Sequence, residues 1–335
     1  MTPVTTLLLG PDFERQHGER LRALEAELGV SLERVQVPRD PERRVPAEDV
    51  ERVEVAYFSG DVFPERSPAF FAAALGARKL RWLHLFNAGV DHPIFDRFLQ
   101  RGVTLTASPG ANAVPIAQSA VAGLLALARR FPEFGRAQRE RRWIPHAELR
   151  YPRDLAGQTL LVLGLGGIGG EIARLGQALG LRVIGVRRSR PPKSAPIDEW
   201  RRPDELAQLL PRADWLAIAC PLSPETRRLI DAAALAALPD GACVINVSRG
   251  EIVEEPALVA ELASGRLAGA YLDVFEVEPL PRDSPLWALP NVIVSPHASH
   301  VSAGSADRQA ERFLANLARY LRGEPLVDGV SAAGD

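Results

Sequence analysis

The sequence of 335 residues lacks the features typical of membrane proteins, of metal-binding proteins and of proteins from oxidising compartments. Its only two cysteines, Cys220 and Cys243, lie in or beside apolar strand patterns and form neither a metal-ligand spacing nor a disulfide framework. No apolar run approaches the roughly 18 residues of a membrane span, and the apolar N-terminal stretch is too short for a signal peptide. The sequence therefore predicts a cytoplasmic protein with no metal site.

A charge excess of either sign is also missing. The chain has 40 Lys and Arg residues against 42 Asp and Glu residues, a formal net charge of −2. This balance predicts binding neither to nucleic acid nor to a membrane surface. Lysine occurs only at Lys79 and Lys193, which we attribute to coding bias. With 46% hydrophobic residues, the chain is long enough for two domains, each with its own core.

What the chain does contain is one stretch, residues 159–189, with the pattern strand, glycine turn, helix, strand. Gly164 permits the tight turn, Gly166 lets the backbone approach a pyrophosphate, and Gly169 lets the helix pack closely on the strand. Gly167 and Ile168 complete the turn. A glycine turn that binds nothing is the simpler alternative, but both strands and the helix are in place, so the stretch predicts a dinucleotide site.

The rest of the chain alternates strand and helix patterns, which is typical of a parallel α/β sheet. The predicted strands are 4–9, 32–37, 53–58, 80–86, 103–106, 160–163, 181–186, 215–219, 242–247, 268–272 and 292–295. The predicted helices are 14–28, 68–75, 112–130, 203–210, 254–263 and 303–321, with helical turns in 225–238. Residues 131–152, rich in Arg and Pro, are predicted to be a connector. Turns at 59–61 and 87–91 follow strands and could face a ligand, although ordinary loops explain the first equally well.

Three charged residues follow predicted strands near the glycine turn: Arg249, Glu278 and His297. Each alone has an ordinary explanation, as a surface arginine, a glutamate at a helix start or a capping histidine. Together their chemistry is complementary. Arginine offers a planar fork to a carboxylate, histidine exchanges a proton near neutral pH, and a carboxylate can orient that histidine.

Six stretches are characteristic: NAGVD (87–91), GLGGIGG (164–170), CPLSPETRRLI (220–230), INVSRGEIVEEPAL (245–258), GRLAGAYLDVFEVEPLP (265–281) and NVIVSPH (291–297). In these stretches, and over essentially its whole length, the chain resembles the D-isomer-specific 2-hydroxyacid dehydrogenase family. The resemblance implies an α/β protein with two doubly wound parallel-sheet domains. A Rossmann cofactor domain, residues 112–296, is inserted into a flavodoxin-like substrate domain, residues 1–111 plus 297–335.

The resemblance also implies an activity: NAD(P)-dependent hydride transfer between nicotinamide and a small 2-ketoacid or D-2-hydroxyacid. The expected direction is ketoacid reduction, as in glyoxylate or hydroxypyruvate reductases. It further implies a homodimer built through the cofactor domain. The apolar pattern of helix 112–130 fits either a core helix or an oligomer contact, and the resemblance favours the contact.

Carried over residue by residue, Arg249 binds the substrate carboxylate and carbonyl, His297 is the acid/base, and Glu278 is its paired carboxylate. The implied substrate contacts are Ser59, Gly60, Ala88, Gly89 and Val90. The implied cofactor contacts are Gly164, Gly166, Gly167, Ile168, Gly169, Arg187, Arg188, Ser189, Cys220, Pro221, Val247, Ser248, Asp273, Ala298 and Ser299. Gln118 stands where many relatives carry Glu, and His300 is a possible extra donor.

Cofactor choice is predicted from the end of the second strand of this unit. NAD-selective folds place Asp or Glu there to bind the ribose hydroxyls, whereas this chain has Arg187, followed by Arg188 and Ser189. Guanidinium groups and a hydroxyl can bind a 2′-phosphate. We therefore expect NADP(H) to be preferred; NAD(H) would also be used if Arg187 stacks on the adenine or faces solvent.

Two alternatives remain open at this level. A non-catalytic dinucleotide sensor of the same fold would keep much of the same site. A formate dehydrogenase-like enzyme would pair its histidine with Gln, and Glu278 argues against that. Turnover of a panel of 2-ketoacids distinguishes an enzyme from a sensor.

Overall fold

The computed structural model describes residues 4–87, 89, 92–148 and 152–330. Two units divide the chain, Met1–Asn112 with Ser302–Asp335 (unit 1) and Ala113–Val301 (unit 2). The return to unit 1 thus falls at Ser302, whereas the domain prediction placed it at 297, so His297 belongs to unit 2. The roles assigned to the two domains stay predictions.

The strands are β1 (Val4–Leu9), β2 (Ser31–Gln36), β3 (Val55–Phe58), β4 (Trp82–Leu85), β5 (Thr104–Thr106), β6 (Thr159–Leu163), β7 (Arg182–Val186), β8 (Glu199–Arg201), β9 (Trp215–Ile218), β10 (Cys243–Asn246), β11 (Gly269–Leu272), β12 (Val292–Val294) and β13 (Gly329–Val330). The helices are α1 (Phe13–Leu28), α2 (Ala47–Val50), α3 (Ser67–Gly76), α4 (Ile94–Gln100), α5 (Ala113–Ala128), α6 (Phe131–Arg139), α7 (Gly167–Ala178), α8 (Leu206–Leu209), α9 (Ala232–Ala237), α10 (Glu255–Ala263) and α11 (Ser305–Leu321). Short 3₁₀ turns lie at His146–Glu148, Pro203–Glu205, Leu210–Arg212, Gly250–Ile252 and Pro285–Trp287.

Unit 1 contains a sheet in the order β2-β1-β3-β4-β5-β13. The first five strands are parallel, and β13 pairs antiparallel with β5. The order 2-1-3-4-5 is that of flavodoxin-like doubly wound sheets. An aromatic cluster fills one face of this sheet: Phe313 of α11 stacks on Tyr57 with ring centroids 4.4 Å apart and on Trp82 at 5.5 Å. The C-terminal helix therefore returns to complete this core.

Unit 2 contains an all-parallel sheet in the order β8-β7-β6-β9-β10-β11-β12. Counted from β6, this is the 3-2-1-4-5-6 order of Rossmann domains with one further strand. Its central strands are apolar on both faces, as expected for a parallel sheet covered by helices. The strand order reverses between β6 and β9, so a ligand site is expected at their carboxyl ends, where the glycine turn lies.

Most predicted strands and long helices are confirmed to within a few residues, and the parallel α/β class is confirmed. The connector prediction for 131–152 was wrong at its start, because α6 occupies Phe131–Arg139. Pro132 stands at the start of this helix, where the missing N–H costs nothing. Strands β8 and β13 and helix α4 were also missed. In the described part of the chain, no helix is long and apolar enough to cross a membrane.

Candidate active site

The glycine turn after β6 is closed by two close approaches. Gly164 has a φ of 96°, and a Cβ there would lie 2.6 Å from the Cα and N atoms of Cys220. A Cβ at Gly169 would overlap the carbonyl oxygen of Gly164. Both positions therefore require glycine, and the turn is held against the start of α7 on one side and the loop after β9 on the other.

The same turn leaves room for a ligand over Gly166, where a Cβ would meet nothing within 4 Å. Gly166 and Gly167 are exposed, so the amides of the first turn of α7 are accessible to an anion. Ile168 is partly buried and packs on the core. These observations fit the pyrophosphate of a dinucleotide.

The loops after β9 and β10 are tied together beside this turn. The Ser248 hydroxyl donates to the carbonyl of Cys220, which is buried. Burial raises the pKa of the Cys220 thiol to about 11, so this thiol stays neutral. Val247 is buried next to Ser248, and Pro221 is exposed. The structure thus brings four predicted cofactor residues to the carboxyl ends of neighbouring strands.

Arg187, Arg188 and Ser189 follow β7, the strand next to β6. The backbone of Arg187 is fixed, because its N–H donates to Arg201 O at 3.2 Å and its carbonyl accepts from Trp200 Nε1 at 3.2 Å. Arg188 is exposed and lies 3.7 Å from the carboxylate of Glu225. Sequence reasoning found both arginines but missed Glu225, which is distant in sequence and close in space.

Arg249 is positioned by the turn that follows β10. Asn246, 1% exposed, donates from Nδ2 to the Arg249 carbonyl at 3.0 Å and accepts from Ser248 N at 3.1 Å. A Cβ at Gly250 would overlap the backbone of Phe275 and Glu276. The turn that carries Arg249 is therefore pressed against the segment that leads to Glu278. Sequence reasoning missed Asn246; a polar residue ending an otherwise apolar strand was the available signal.

His297 and Glu278 form a direct pair. His297 Nδ1 lies 2.8 Å from Glu278 Oε2, while Glu278 Oε1 accepts from Phe275 N at 3.0 Å. His297 follows β12 in the left-handed region, with a φ of 51°, which is uncommon for a residue with a Cβ. The other ring nitrogen, Nε2, is the one that can exchange a proton with a ligand.

Electrostatics favour a charged His297. The hydrogen bond to Glu278, together with the charges of Glu278 and Asp273, raises the pKa of His297 above its usual value and outweighs the lowering by burial and by Arg249. For Glu278, burial is the largest contribution and raises the pKa. The bonds from His297 and Phe275 N–H and the charge of Arg249 outweigh it together, so the net pKa is lowered. Both shifts widen the pH range over which the pair is an imidazolium beside a carboxylate.

Asp273 lies at the end of β11 and is 1% exposed. Its Oδ1 accepts from Ala298 N at 3.0 Å and from Ser299 N at 3.1 Å. Three predicted cofactor residues are therefore in mutual contact, on the segment that carries His297. Their contact with nicotinamide stays a prediction. The ring of His300 stands nearly perpendicular to that of His297, with centroids 6.3 Å apart; burial and then the charge of His297 lower the pKa of His300.

The predicted substrate residues that the structure describes, Ser59, Gly60 and Gly89, lie in unit 1 after the neighbouring strands β3 and β4. Ser59 is 5% exposed, and its hydroxyl donates to Asp61 at 2.5 Å. The carbonyl of Gly89 accepts from Asn87 Nδ2 at 2.7 Å. Gly60 is exposed. Ala88 and Val90 lie outside the described residues. Within the described ranges, no group of three or more His, Cys, Asp or Glu side chains could hold a metal ion.

Comparison with known proteins gives a consistent result. The family model described as D-isomer specific 2-hydroxyacid dehydrogenase, NAD binding domain, matches residues 121–299. A glyoxylate reductase of Korarchaeum cryptofilum is 35% identical over 253 residues, which are 74% of this chain and 75% of that protein. A hydroxypyruvate reductase of Thermotoga maritima is 30% identical over 254 residues, 74% of this chain and 80% of that protein.

A solved structure is similar over nearly the whole chain. It is a D-isomer specific 2-hydroxyacid dehydrogenase from Xanthobacter autotrophicus Py2 in complex with NADPH and MES, 32% identical, with a TM-score of 0.78. The similarity covers 98% of this chain and 98% of that chain.

Proposed function

The chain belongs to the D-isomer specific 2-hydroxyacid dehydrogenase family and is an NAD(P)-dependent 2-ketoacid reductase, and we propose that Arg249, Glu278 and His297 perform its chemistry. The observation that carries this proposal is the His297–Glu278 pair, with Nδ1 and Oε2 2.8 Å apart. Arg249 is near enough for its charge to act on the pKa of both residues. A guanidinium and a histidine whose pKa is raised by its carboxylate partner therefore lie close together.

In the proposed reaction, the Arg249 guanidinium binds the substrate carboxylate and faces the keto oxygen. A nicotinamide cofactor held at the glycine turn of Gly164, Gly166 and Gly169 would supply the hydride for the keto carbon. His297 donates its Nε2 proton to the keto oxygen as negative charge develops there, and Glu278 stabilises the imidazolium beforehand. The product is a 2-hydroxyacid, and His297 regains a proton from solvent before the next cycle.

The test is oxidation of NADPH and NADH with a panel of 2-ketoacids from glyoxylate and hydroxypyruvate to phenylpyruvate. We expect turnover of at least one small ketoacid, with the rate falling as pH rises through the pKa of His297. Nucleotide binding without turnover on any ketoacid would favour the sensor. In a separate assay, reduction of NAD+ or NADP+ by formate, with no turnover of any ketoacid, would favour the formate dehydrogenase alternative.

We also propose that NADP(H) is preferred over NAD(H). Arg187 stands where a ribose-binding carboxylate would repel a 2′-phosphate, and Arg188 and Ser189 add donors beside it. One charge-assisted hydrogen bond of about 1.5 kcal/mol corresponds to roughly tenfold in affinity. A neighbouring structure that contains NADPH is compatible with this choice.

Cofactor choice is tested by kcat/KM for NADPH and NADH. The double variant Arg187→Ala/Arg188→Ala should lower the NADPH to NADH ratio by about tenfold or more, because it removes both guanidinium groups. Arg190→Ala is the matched control, since the Arg190 guanidinium lies 5.9 Å from the centre of the Trp200 ring and is not among the proposed phosphate ligands. A wild type that prefers NADH, or an unchanged ratio in the double variant, would contradict the proposal.

A homodimer and a cytoplasmic location complete the proposal. The segment that follows α5 exposes large aromatic side chains: Phe131 is 61%, Phe134 42% and Trp143 91% exposed. Exposed aromatic groups of this size are typical of a protein interface. Light scattering on the purified protein measures the state directly, and a monomer at micromolar concentration would contradict the dimer.

A further inference from the structure

A set of polar groups holds the segment that carries His297, and we call Tyr271, Asp273, Ser295 and Ser299 the Asp273 clamp. Ser295 is partly exposed and the other three are buried. The carboxylate of Asp273 accepts from the backbone N–H groups of Ala298 and Ser299 and from the hydroxyls of Ser295 and Ser299. Its main-chain carbonyl accepts from His297 N at 2.8 Å. Asp273 thus bonds the chain on both sides of His297.

The direction of the hydrogen bonds in the clamp follows from its chemistry. The Ser295 hydroxyl donates its single proton to Asp273 Oδ1. Tyr271 OH lies 3.0 Å from Ser295 Oγ and must then be the donor in that bond. Burial raises the pKa of Tyr271, which keeps its proton in place near neutral pH. A directed chain therefore runs from Tyr271 through Ser295 to Asp273.

The clamp holds the backbone of His297 in a conformation that is unfavourable by itself. His297 has a φ of 51°, a left-handed conformation that a residue with a Cβ adopts only where its surroundings impose it. Asp273 is 1% and Ser299 6% exposed, so water does not compete for these bonds. The conformation fixes the direction in which the His297 ring leaves the backbone, and with it the 2.8 Å contact with Glu278.

We propose that Tyr271, Ser295 and Ser299 are positioning residues for ketoacid reduction, acting through Asp273 to hold His297 against Glu278. The inference rests on the proposed role of His297 as the acid. Weakening the clamp lets His297 relax from the left-handed region and spend less time bonded to Glu278. The charged groups that act on His297 are Glu278, Arg249 and Asp273, with the titratable ring of His300 beside it. Loss of the Glu278 bond removes the largest influence that keeps His297 protonated.

The test compares Ser295→Ala and Tyr271→Phe with wild type. Tyr271→Phe removes only a hydroxyl and keeps the ring that packs against Gly123, so the fold is retained. We expect kcat to fall about fivefold in each variant, the factor that corresponds to one hydrogen bond. The pH at which kcat falls off should move down, while the Kd for NADPH should stay within about twofold. Ser264→Ala, which removes an exposed hydroxyl that donates to Glu261 O, is the control.

Two further variants separate positioning from packing. Ser295→Thr restores the hydroxyl and should recover most of kcat, whereas a loss equal to that of Ser295→Ala would overturn the inference. In a Glu278→Gln background, Ser295→Ala should cause no further downward shift in the pH profile. If Ser295→Ala and Tyr271→Phe both keep the wild-type kcat and pH profile while His297→Asn is inactive, this inference is overturned and the proposed function stands. A fully active His297→Asn would overturn the proposed function beneath it.

Discussion

Each unit places a histidine near the end of a parallel strand, and the surroundings shift the pKa values of the two histidines in opposite directions. In unit 1, His84 is 0% exposed, and its ring nitrogens bond to the hydroxyls of Thr106 at 2.6 Å and Ser108 at 3.0 Å. Burial lowers the pKa of His84 to about 3. In unit 2, the His297 ring is exposed at one edge and bonded to the Glu278 carboxylate, which raises its pKa.

The hydrogen-bond partner of each histidine determines whether its ring is held neutral or favoured in the charged form. Hydroxyl groups satisfy a neutral imidazole without stabilising its charge, so His84 is a structural group. A carboxylate stabilises the imidazolium, and open space on the other side of the ring lets a ligand receive the proton. Position at a strand end alone does not distinguish the two.

Removal of the Arg249 guanidinium from the unit 2 site should cause the largest loss of activity. Arg249→Ala should lower kcat/KM at least about 100-fold, because the guanidinium binds both the carboxylate and the developing charge on oxygen. Arg249→Lys should recover only part of this, since an ammonium cannot reproduce the bidentate fork. Steady-state kinetics measure both, with Arg282→Ala, an exposed arginine nearby in sequence, as the control. Wild-type kinetics for Arg249→Ala would show that the unit 2 site does not use this guanidinium in the reaction.

The unit 1 histidine should affect stability and its pH dependence. Since the folded pKa of His84 is about 3 and the usual value is 6.5, the unfolded chain binds a proton between these pH values that the folded chain does not. The free energy of unfolding is therefore highest above pH 6.5. It decreases by about 2 kcal/mol between pH 7.5 and pH 5. His17, whose pKa burial also lowers, adds in the same direction.

Urea unfolding at the two pH values measures this loss. In His84→Gln, which cannot titrate, the part of the loss that His84 causes should disappear, even though the variant is less stable at pH 7.5. The same steep pH dependence in wild type and His84→Gln would mean that other groups carry it.

The smallest expected effect is that of replacing the Glu278 carboxylate by an amide. Glu278→Gln keeps a hydrogen-bonding group but removes the charge that raises the pKa of His297. Reduction requires protonated His297 and falls off as pH rises through its pKa, so the fall-off should move to lower pH. The profile of kcat against pH checks this, and an unchanged profile would assign Glu278 another role.

Much of this arrangement was predictable because parallel strands are short apolar runs bounded by turns. The predicted ends of helices 14–28 and 303–321 are confirmed, and a glycine with a positive φ follows each, Gly29 and Gly323. Helix α6 was missed because its apolar face is narrow and its Arg content resembles a linker. Strand β8 was missed because Glu199–Arg201 is partly exposed and charged, and pairs at the edge of the sheet.

For the site, sequence patterns and resemblance identified the residue types, whereas their contacts depend on the register of neighbouring strands. Asn246 could be noticed as a polar residue at the end of an apolar strand. Its contact with Arg249, and the contact of Tyr271 with the His297 segment, could not be read from a local pattern. The Glu225 carboxylate beside Arg188 is likewise a product of the fold. Local periodicity predicts the elements; distances between loops from different strands require the packed sheet.

The most direct measurement is kcat of His297→Asn with the best 2-ketoacid, alongside the Kd for NADPH. Asparagine cannot donate the proton that His297 holds, so kcat should fall by about 100-fold or more while the Kd stays within about twofold. His84→Gln, which alters the other histidine, should keep kcat within a few-fold while losing stability. A His297→Asn variant that retained wild-type kcat would contradict the account.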